Sequence, residues 1–310
     1  MKILITGAEG FVGRNLFELF KKNKYDILSP TVSELDLTIS RNVSDYFRNN
    51  RVDIIVHSAT TLRTGTSYPD DACERNLRMF FNLLKELTPS MKLINLSSGS
   101  DYSREHWHKK MPEDFFGSHI PKDGHSFSKY LISKYIEEAQ DSNMVTLRIF
   151  GIFGRYEDYR YKFISNTIAK NLLKLPIIIN QNAIYDYLYI NDFYQVVEFF
   201  VKNNAKYKTY NVTPSEPIDL LSVAKLVNSS GNFQSDIRLM NKGIGVDYTG
   251  DNSRLLSEVK DFKVTSYADA IAKLYDYYKG NISILDKEAL KKDEFLNHAK
   301  NLRKISNPND

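Results

Sequence analysis

The first fourteen residues constrain this chain more than any other stretch. Ile3, Leu4 and Ile5 form an unbroken apolar run, glycines follow at 7, 10 and 13, and Leu16, Phe17, Leu19 and Phe20 then recur at helical intervals. The apolar run predicts a strand buried on both faces, as in a parallel sheet. The recurrence predicts an amphipathic helix with Glu18, Lys21 and Lys22 facing outward. In the G-x-x-G-x-x-G spacing, Gly7 permits a tight turn, Gly10 lets a ligand approach the backbone, and Gly13 lets the helix lie close on the strand. A pyrophosphate would then meet free N–H groups at a helix N-terminus, so dinucleotide binding is expected at Gly7, Gly10, Phe11, Val12 and Gly13.

Strands and helices go on alternating. Strands are expected at 25–30, 52–56, 92–96 and 145–150, and helices at 41–50, 72–87 and 126–140, which predicts an α/β fold with a doubly wound parallel (Rossmann) sheet. Beyond Gly151 the alternation breaks into tyrosine-rich segments, with a helix expected at 162–175 and a strand at 184–190. Further helices are expected at 220–229, capped by Asp219, and at 267–279. The domains expected are a dinucleotide-binding unit of 1–150 plus about 183–204, and a smaller C-terminal substrate-binding lobe of about 151–182 and 205–280. Residues 281–310 read as a charged, solvated helical tail.

The 42 Lys+Arg and 38 Asp+Glu leave a net charge of +4 but are interspersed, which argues against nucleic-acid binding. The single cysteine, Cys73, excludes an intrachain disulfide framework and a multi-cysteine zinc site, so no metal is expected and a reducing, cytoplasmic location is. Neither a signal-peptide pattern at the start nor a membrane-length apolar run is visible, so neither secretion nor membrane insertion is expected.

In their order the pieces resemble the extended short-chain dehydrogenase/reductase family of nucleotide-sugar epimerases, dehydratases and ketoreductases. The resemblance runs from Lys2 to about Lys279. It rests on Thr6 to Gly13, Glu34-Leu35-Asp36-Leu37, Val56-His57-Ser58-Ala59, Asn76-Leu77, Ser97-Ser98-Gly99-Ser100-Asp101-Tyr102, a Ser-Lys helix near 129, Leu147-Arg148 to Gly154, Tyr185 to Asp192, and Tyr210-Asn211-Val212. The Glu34-Leu35-Asp36-Leu37 stretch looks like the branch that reduces 4-keto sugars. The resemblance implies cofactor contacts at Asp36, Leu37, Ala59, Asn76 and a catalytic lysine. It also implies a nucleotide-sugar substrate and a homodimer paired through Met79, Phe80, Leu83 and Tyr135. His57 reads as a structural residue at a strand end.

The cofactor's identity can be argued from the end of the second strand, where NAD-binding folds place an acidic residue on the ribose hydroxyls. This chain has Ser29-Pro30-Thr31 there, with Arg14 nearby in sequence, so NADP is expected and NAD is the alternative.

Family chemistry pairs a Ser or Thr with a Tyr-x-x-x-Lys helix. Ser98, just past an apolar strand, fits the first role. Two registers overlap for the second: His125 with Lys129, which lacks the tyrosine, and Tyr130 with Lys134, which has it. The helix must run back along a strand of roughly 18–20 Å, which needs about 12–13 helical residues, and only the Lys129 register leaves nearly enough before Gln140. Lys134 also shares a stripe with Glu138 and Asp141, a solvent-facing pattern. Lys129 and His125 are therefore favoured, and Tyr130 with Lys134 stays the alternative.

Gly99-Ser100 follows Ser98 where the family's dehydratases carry Asp-Glu, and the cysteine of the GDP-fucose-forming epimerase-reductases is replaced by Ser100. Arg155 and Arg160 could grip a diphosphate in place of a missing family arginine. The expectation is an NADP-dependent reductase of a nucleotide-linked 4-keto sugar in surface-glycan synthesis. The rivals are a 4-epimerase with tightly held NAD and a non-catalytic dinucleotide-binding sensor or scaffold.

Overall fold

The computed structural model describes residues 1–63, 67–139, 143–297 and 299–300. In chain order the elements are β1 (Lys2–Thr6), α1 (Phe11–Lys22), β2 (Asp26–Leu28), α2 (Ser40–Asn49), β3 (Ile54–His57), α3 (Ala72–Glu86), β4 (Lys92–Ser98), α4 (Gly124–Glu138) and β5 (Met144–Ile149). There follow β6 (Gly151–Phe153), α5 (Phe163–Leu172), β7 (Ile177–Tyr185), β8 (Tyr187–Tyr189), α6 (Ile190–Lys202), β9 (Thr209–Val212), β10 (Ile218–Asp219), α7 (Leu220–Ser230), β11 (Ile237–Tyr248), α8 (Ser253–Glu258), α9 (Tyr267–Gly280) and α10 (Lys287–Lys292). Short 3-10 turns lie at Gly99–Asp101, Arg104–His106, Glu113–Phe115 and Ile282–Ile284.

The chain divides into two units. The first comprises Met1–Phe150, Ile190–Thr213 and Gly250–Phe262. Its six-stranded sheet, in the order β2-β1-β3-β4-β5-β9, is parallel throughout. The order turns back at β1, so the connections leave in opposite directions from that point and helices flank the sheet on both faces. Ligands of such sheets bind at the C-terminal strand ends where the order reverses, here at β1 and β3. The apolar runs read from sequence supply the core: Ile3, Leu4 and Ile5 are fully buried, and Leu4, Ile55, Leu93 and Met144 pack with Phe80 and Leu83 of α3 and Ile132 and Ile136 of α4.

The second unit comprises Gly151–Tyr189, Pro214–Thr249 and Lys263–Asp310. Within it β7 is flanked by antiparallel β10 and parallel β11, while β6 pairs with β8. Helix α7 packs on α9 and α5, and Asp219 caps it by accepting the Ser222 N–H at 3.0 Å.

Three expectations change. The returning segment of the first unit is 190–213 instead of about 183–204, and a third piece, 250–262, joins it because Asn211 Nδ2 donates to the Asp251 carbonyl and Asn252 Nδ2 to that of Thr213. The segment beyond 281 is not a solvated tail over its described residues. Leu285, Leu290 and Leu296 are buried, Lys170 Nζ pairs with Asp293 at 2.7 Å, and Phe295 packs on Phe163. Phe80 and Leu83 lie in their own chain's core and cannot pair two copies, whereas Phe81 and Tyr135 are exposed. Gln140, Asp141 and the Asn-Pro-Asn-Asp end lie outside the described residues. Among the described residues no helix is long and apolar enough to cross a membrane.

Candidate active site

The glycine turn is closed to side chains at two positions and open at the third. Gly7 has φ +67°, and a Cβ there would lie 2.7 Å from Ala59 Cα. A Cβ at Gly13 would fall 2.3 Å from the Gly7 carbonyl oxygen. At Gly10 the nearest protein atom would be 3.4 Å away, so space lies open beside the start of α1. Phe11 and Val12, half-buried, begin that helix, whose first turn carries no acidic residue. A backbone that excludes Cβ atoms from its own turn and leaves room at the helix N-terminus fits the pyrophosphate of a dinucleotide.

Around the end of β2 the structure corrects the premise of the cofactor argument. No carboxylate occupies positions 29–31, yet Glu34 Oε2 accepts the Thr31 N–H at 2.7 Å and its hydroxyl at 2.9 Å, and Glu9 Oε2 accepts the Val32 N–H at 3.3 Å. Acidic groups thus reach this corner from the glycine turn and from a later loop. Arg14 is exposed, 3.7 Å from Glu18. Asp36 holds Thr38 through its N–H and hydroxyl at 2.8 and 2.7 Å, and Leu37, buried, fixes Asn82 through its carbonyl at 2.8 Å.

Behind the turn, polar side chains bind the strand ends together. The Thr6 hydroxyl accepts the N–H groups of Ser58 and Ala59 at 3.2 Å and lies 2.9 Å from His57 Nδ1, to which it can give its proton. Burial first, and the Lys129 charge second, push His57 down to about 3, so it is neutral and structural. Asn76 accepts the Thr61 N–H and hydroxyl at 2.8 and 2.9 Å, donates to Ser128 Oγ at 2.9 Å and approaches His125 Nδ1 at 3.5 Å. It ties the loop after β3 to the first turns of α4.

Helix α4 starts at Asp123, whose carboxylate accepts the Ser126 N–H at 2.9 Å. One stripe of the helix turns inward. Lys129, half-buried, lines a cavity with His57, Ala59, Asn76 and Asn95, and its Nζ donates to the Leu96 carbonyl at 3.2 Å. Burial holds its pKa below the ordinary value. His125, one turn earlier, is 9% exposed, and burial followed by the Lys129 charge pushes it down to about 3. Its ring is stacked on Tyr68, centroids 3.8 Å apart and planes within 6°. Tyr130 points elsewhere. It is buried against Phe116, at 5.0 Å, whose ring also carries the Arg148 guanidinium at 3.9 Å. Lys134 is 41% exposed and pairs with Glu138 at 3.2 Å.

Ser98 ends β4, and its hydroxyl accepts the Ser100 N–H at 3.1 Å. The following turn is anchored by Asp101, fully buried, which accepts from Ser97 Oγ at 2.6 Å, Ser133 Oγ at 2.5 Å and Arg148 Nε at 3.0 Å. One carboxylate therefore fixes the Ser98 turn, β5 and the helix of Lys129 against one another. In the second unit, Arg160 is gripped by Asp158 through two bonds of 3.0 and 2.9 Å, so its fork is already occupied.

The sheet, its glycine turn at the switch point and the inward-facing lysine behind it define the class: a dinucleotide-dependent enzyme of the extended short-chain dehydrogenase/reductase type. The model of the NAD dependent epimerase/dehydratase family matches residues 3–213, and the chain belongs to that family of NAD(P)-dependent nucleotide-sugar enzymes. It is 22% identical over 305 residues to GDP-L-colitose synthase of Yersinia pseudotuberculosis, covering 90% of this chain and 98% of that one. Its fold matches an NADP-bound GDP-L-fucose synthetase from Naegleria fowleri at TM-score 0.80, with 16% identity over 91% of this chain and 94% of that one. A GDP-mannoheptose C4 reductase from Campylobacter jejuni with NADP bound matches at TM-score 0.77, with 19% identity over 90% and 98%.

Sequence reasoning overlooked Tyr68, Asp101 and Glu34 as parts of this site. Asp101 carried a signal, because a lone carboxylate inside an otherwise uncharged turn next to an apolar strand needs a buried partner. Tyr68 carried none, lying 57 residues before His125.

Proposed function

We propose that this enzyme reduces a nucleotide-linked 4-keto sugar with NADPH, in the making of a surface glycan. The observation that supports the reading is the inward-facing, half-buried Lys129, lining a cavity with Asn76 and Ala59 beside the strand ends that bear the glycine turn and Ser98. When bound, the reduced nicotinamide supplies a hydride to the carbonyl carbon. The Lys129 ammonium would hold the nicotinamide ribose, with the Leu96 carbonyl and the helix fixing its position. Ser98 orients the keto oxygen from the end of β4. His125, neutral, offers a ring N–H as hydrogen-bond donor and not a dissociable imidazolium proton.

Elimination of water is disfavoured because Gly99-Ser100 lacks the acid pair, and the nearby Asp101 is committed to Arg148, Ser97 and Ser133. A homodimer and a cytoplasmic location complete the proposal. Exposed Phe81 and Tyr135, with ring centroids 5.5 Å apart, and half-buried Met79 are available to pair copies along α3 and α4.

Turnover of a GDP-linked 4-keto-6-deoxyhexose with NADPH tests the reaction. Gly10→Val should abolish dinucleotide binding in calorimetry while the protein stays folded, because the nearest atom to its Cβ would be the Gly7 carbonyl oxygen at 3.4 Å, an ordinary contact. Unchanged affinity would end the cradle assignment. A second reading, a 4-epimerase with retained NAD, is favoured by Glu34 and Glu9, since carboxylates at the end of β2 repel a 2′-phosphate and suit ribose hydroxyls. Copurified NAD and tighter binding of NADH than NADPH would select it.

A further inference from the structure

In the proposed reduction the sugar oxygen must receive a proton, and the position four residues before Lys129 holds no tyrosine to give one. His125 stands there, enclosed and neutral. Tyr130, next to Lys129 in sequence, is buried on the Phe116 side of α4. The fold brings a different phenol to this corner. Tyr68, from the loop between β3 and α3, lies face to face with His125 at 3.8 Å and 6°. It is half-buried, and among the described residues its hydroxyl has no hydrogen-bond partner. The Arg63 guanidinium lies 4.8 Å from the centroid of its ring, a cation–π contact that helps hold the ring in place. Earlier in the same connection, Asn76 ties Thr61 to Ser128 of α4.

We propose that Tyr68 is the proton donor of this site, a catalytic tyrosine supplied by the β3–α3 loop and aligned by stacking on His125. The inference rests on the reductase reading above. As the carbonyl carbon is reduced, the electron pair of the C=O π bond moves to oxygen, the oxygen takes the Tyr68 O–H proton, and the phenolate left behind regains a proton from water. His125 is a positioning residue in this scheme, its ring the platform that fixes the phenol. Arg63 holds the same ring through its cation–π contact.

The test uses the full chain, NADPH and a GDP-linked 4-keto-6-deoxyhexose. Tyr68→Phe keeps the stack and removes the hydroxyl, so kcat should fall by roughly 10²-fold or more while KM and NADPH affinity by calorimetry stay within a few-fold. Tyr68→Leu removes both, and should also abolish the ring-current shift that Tyr68 imposes on the His125 ring protons in NMR, a shift that Tyr68→Phe retains. The proposal is overturned if Tyr68→Phe turns over like the natural protein, or if the large loss comes from Tyr130→Phe instead. Unshifted His125 protons in the natural protein would overturn the stack. If the natural protein reduces the keto sugar and Tyr68→Phe does so equally well, only this proposal is lost. If the natural protein binds NADPH but reduces no keto sugar, the reductase reading is lost, and the donor role with it.

Discussion

Helix α4 carries two lysines five residues apart, and the contrast between them shows what decides a site. Lys134 sits in the chemically complete motif, with Tyr130 four residues before it. It is nevertheless on the surface, balanced by Glu138 in the next turn. Lys129 sits in the incomplete motif, with a histidine where a tyrosine is expected, and it faces inward at the strand ends with its ammonium on the Leu96 carbonyl. An ammonium is removed from water only against a cost of several kcal/mol. Lys129 bears part of that cost on one face of the helix and Lys134 avoids it on the other, so burial separates the two lysines.

The largest effect should come from the inward lysine. Lys129→Met is expected to lower turnover by roughly 10³- to 10⁴-fold and to weaken dinucleotide binding, since one ammonium serves both. Steady-state rates and calorimetry read the two effects. If Lys134 proved essential and Lys129 dispensable, the contrast would be inverted. Asp101→Ala comes next. It strands the buried Arg148 charge and frees Ser133, and should cost about 3–5 kcal/mol in urea unfolding. A loss below about 1 kcal/mol would mean that water reaches the pair.

Acid should sharpen the contrast further. His57 and His125 are both pushed from 6.5 to about 3, first by burial and second by Lys129. Below 6.5 the unfolded chain binds protons at both that the folded chain refuses until about 3. Their contribution is therefore complete above about pH 6.5 and is lost as pH falls toward 3. The thermal midpoint should decline through that window, and a flat profile would show the inward stripe to be hydrated. The smallest effect is assigned to Lys134→Met, which gives up an exposed i,i+4 pair worth roughly 0.3–0.5 kcal/mol and should leave turnover unchanged.

Much of the first unit was legible because its strands are buried on both faces and so read as continuous apolar runs, as at Ile3 to Ile5 and Ile54 to Val56. Strand β11 was not. Most of its residues are exposed, and its register shifts twice, between Asn241 and Ile244 and between Ile244 and Asp247, which removes any period-two signal. The C-terminal segment misled for the opposite reason, since its lysines and glutamates hid the widely spaced Leu285, Leu290 and Leu296 that dock it. At the site, the glycine turn and Lys129 followed from local rules. Tyr68 reaches its place only through a tertiary contact that no spacing in the chain encodes, whereas Glu34 is held locally by Thr31, three residues before it.

The division of the first unit into three chain segments also has a consequence for biosynthesis. When residues 1–150 have left the ribosome, five of the six strands exist, including the turn, Ser98 and Lys129. The outer edge of β5, Thr146 to Ile149, is still bare, because its partner β9 is made only at 209–212. An unpaired apolar edge is a template for the wrong neighbour. The nascent enzyme must therefore carry an open sheet while about sixty further residues are added, a few seconds at ordinary rates of synthesis. A truncation after Phe150 would make that passing hazard permanent.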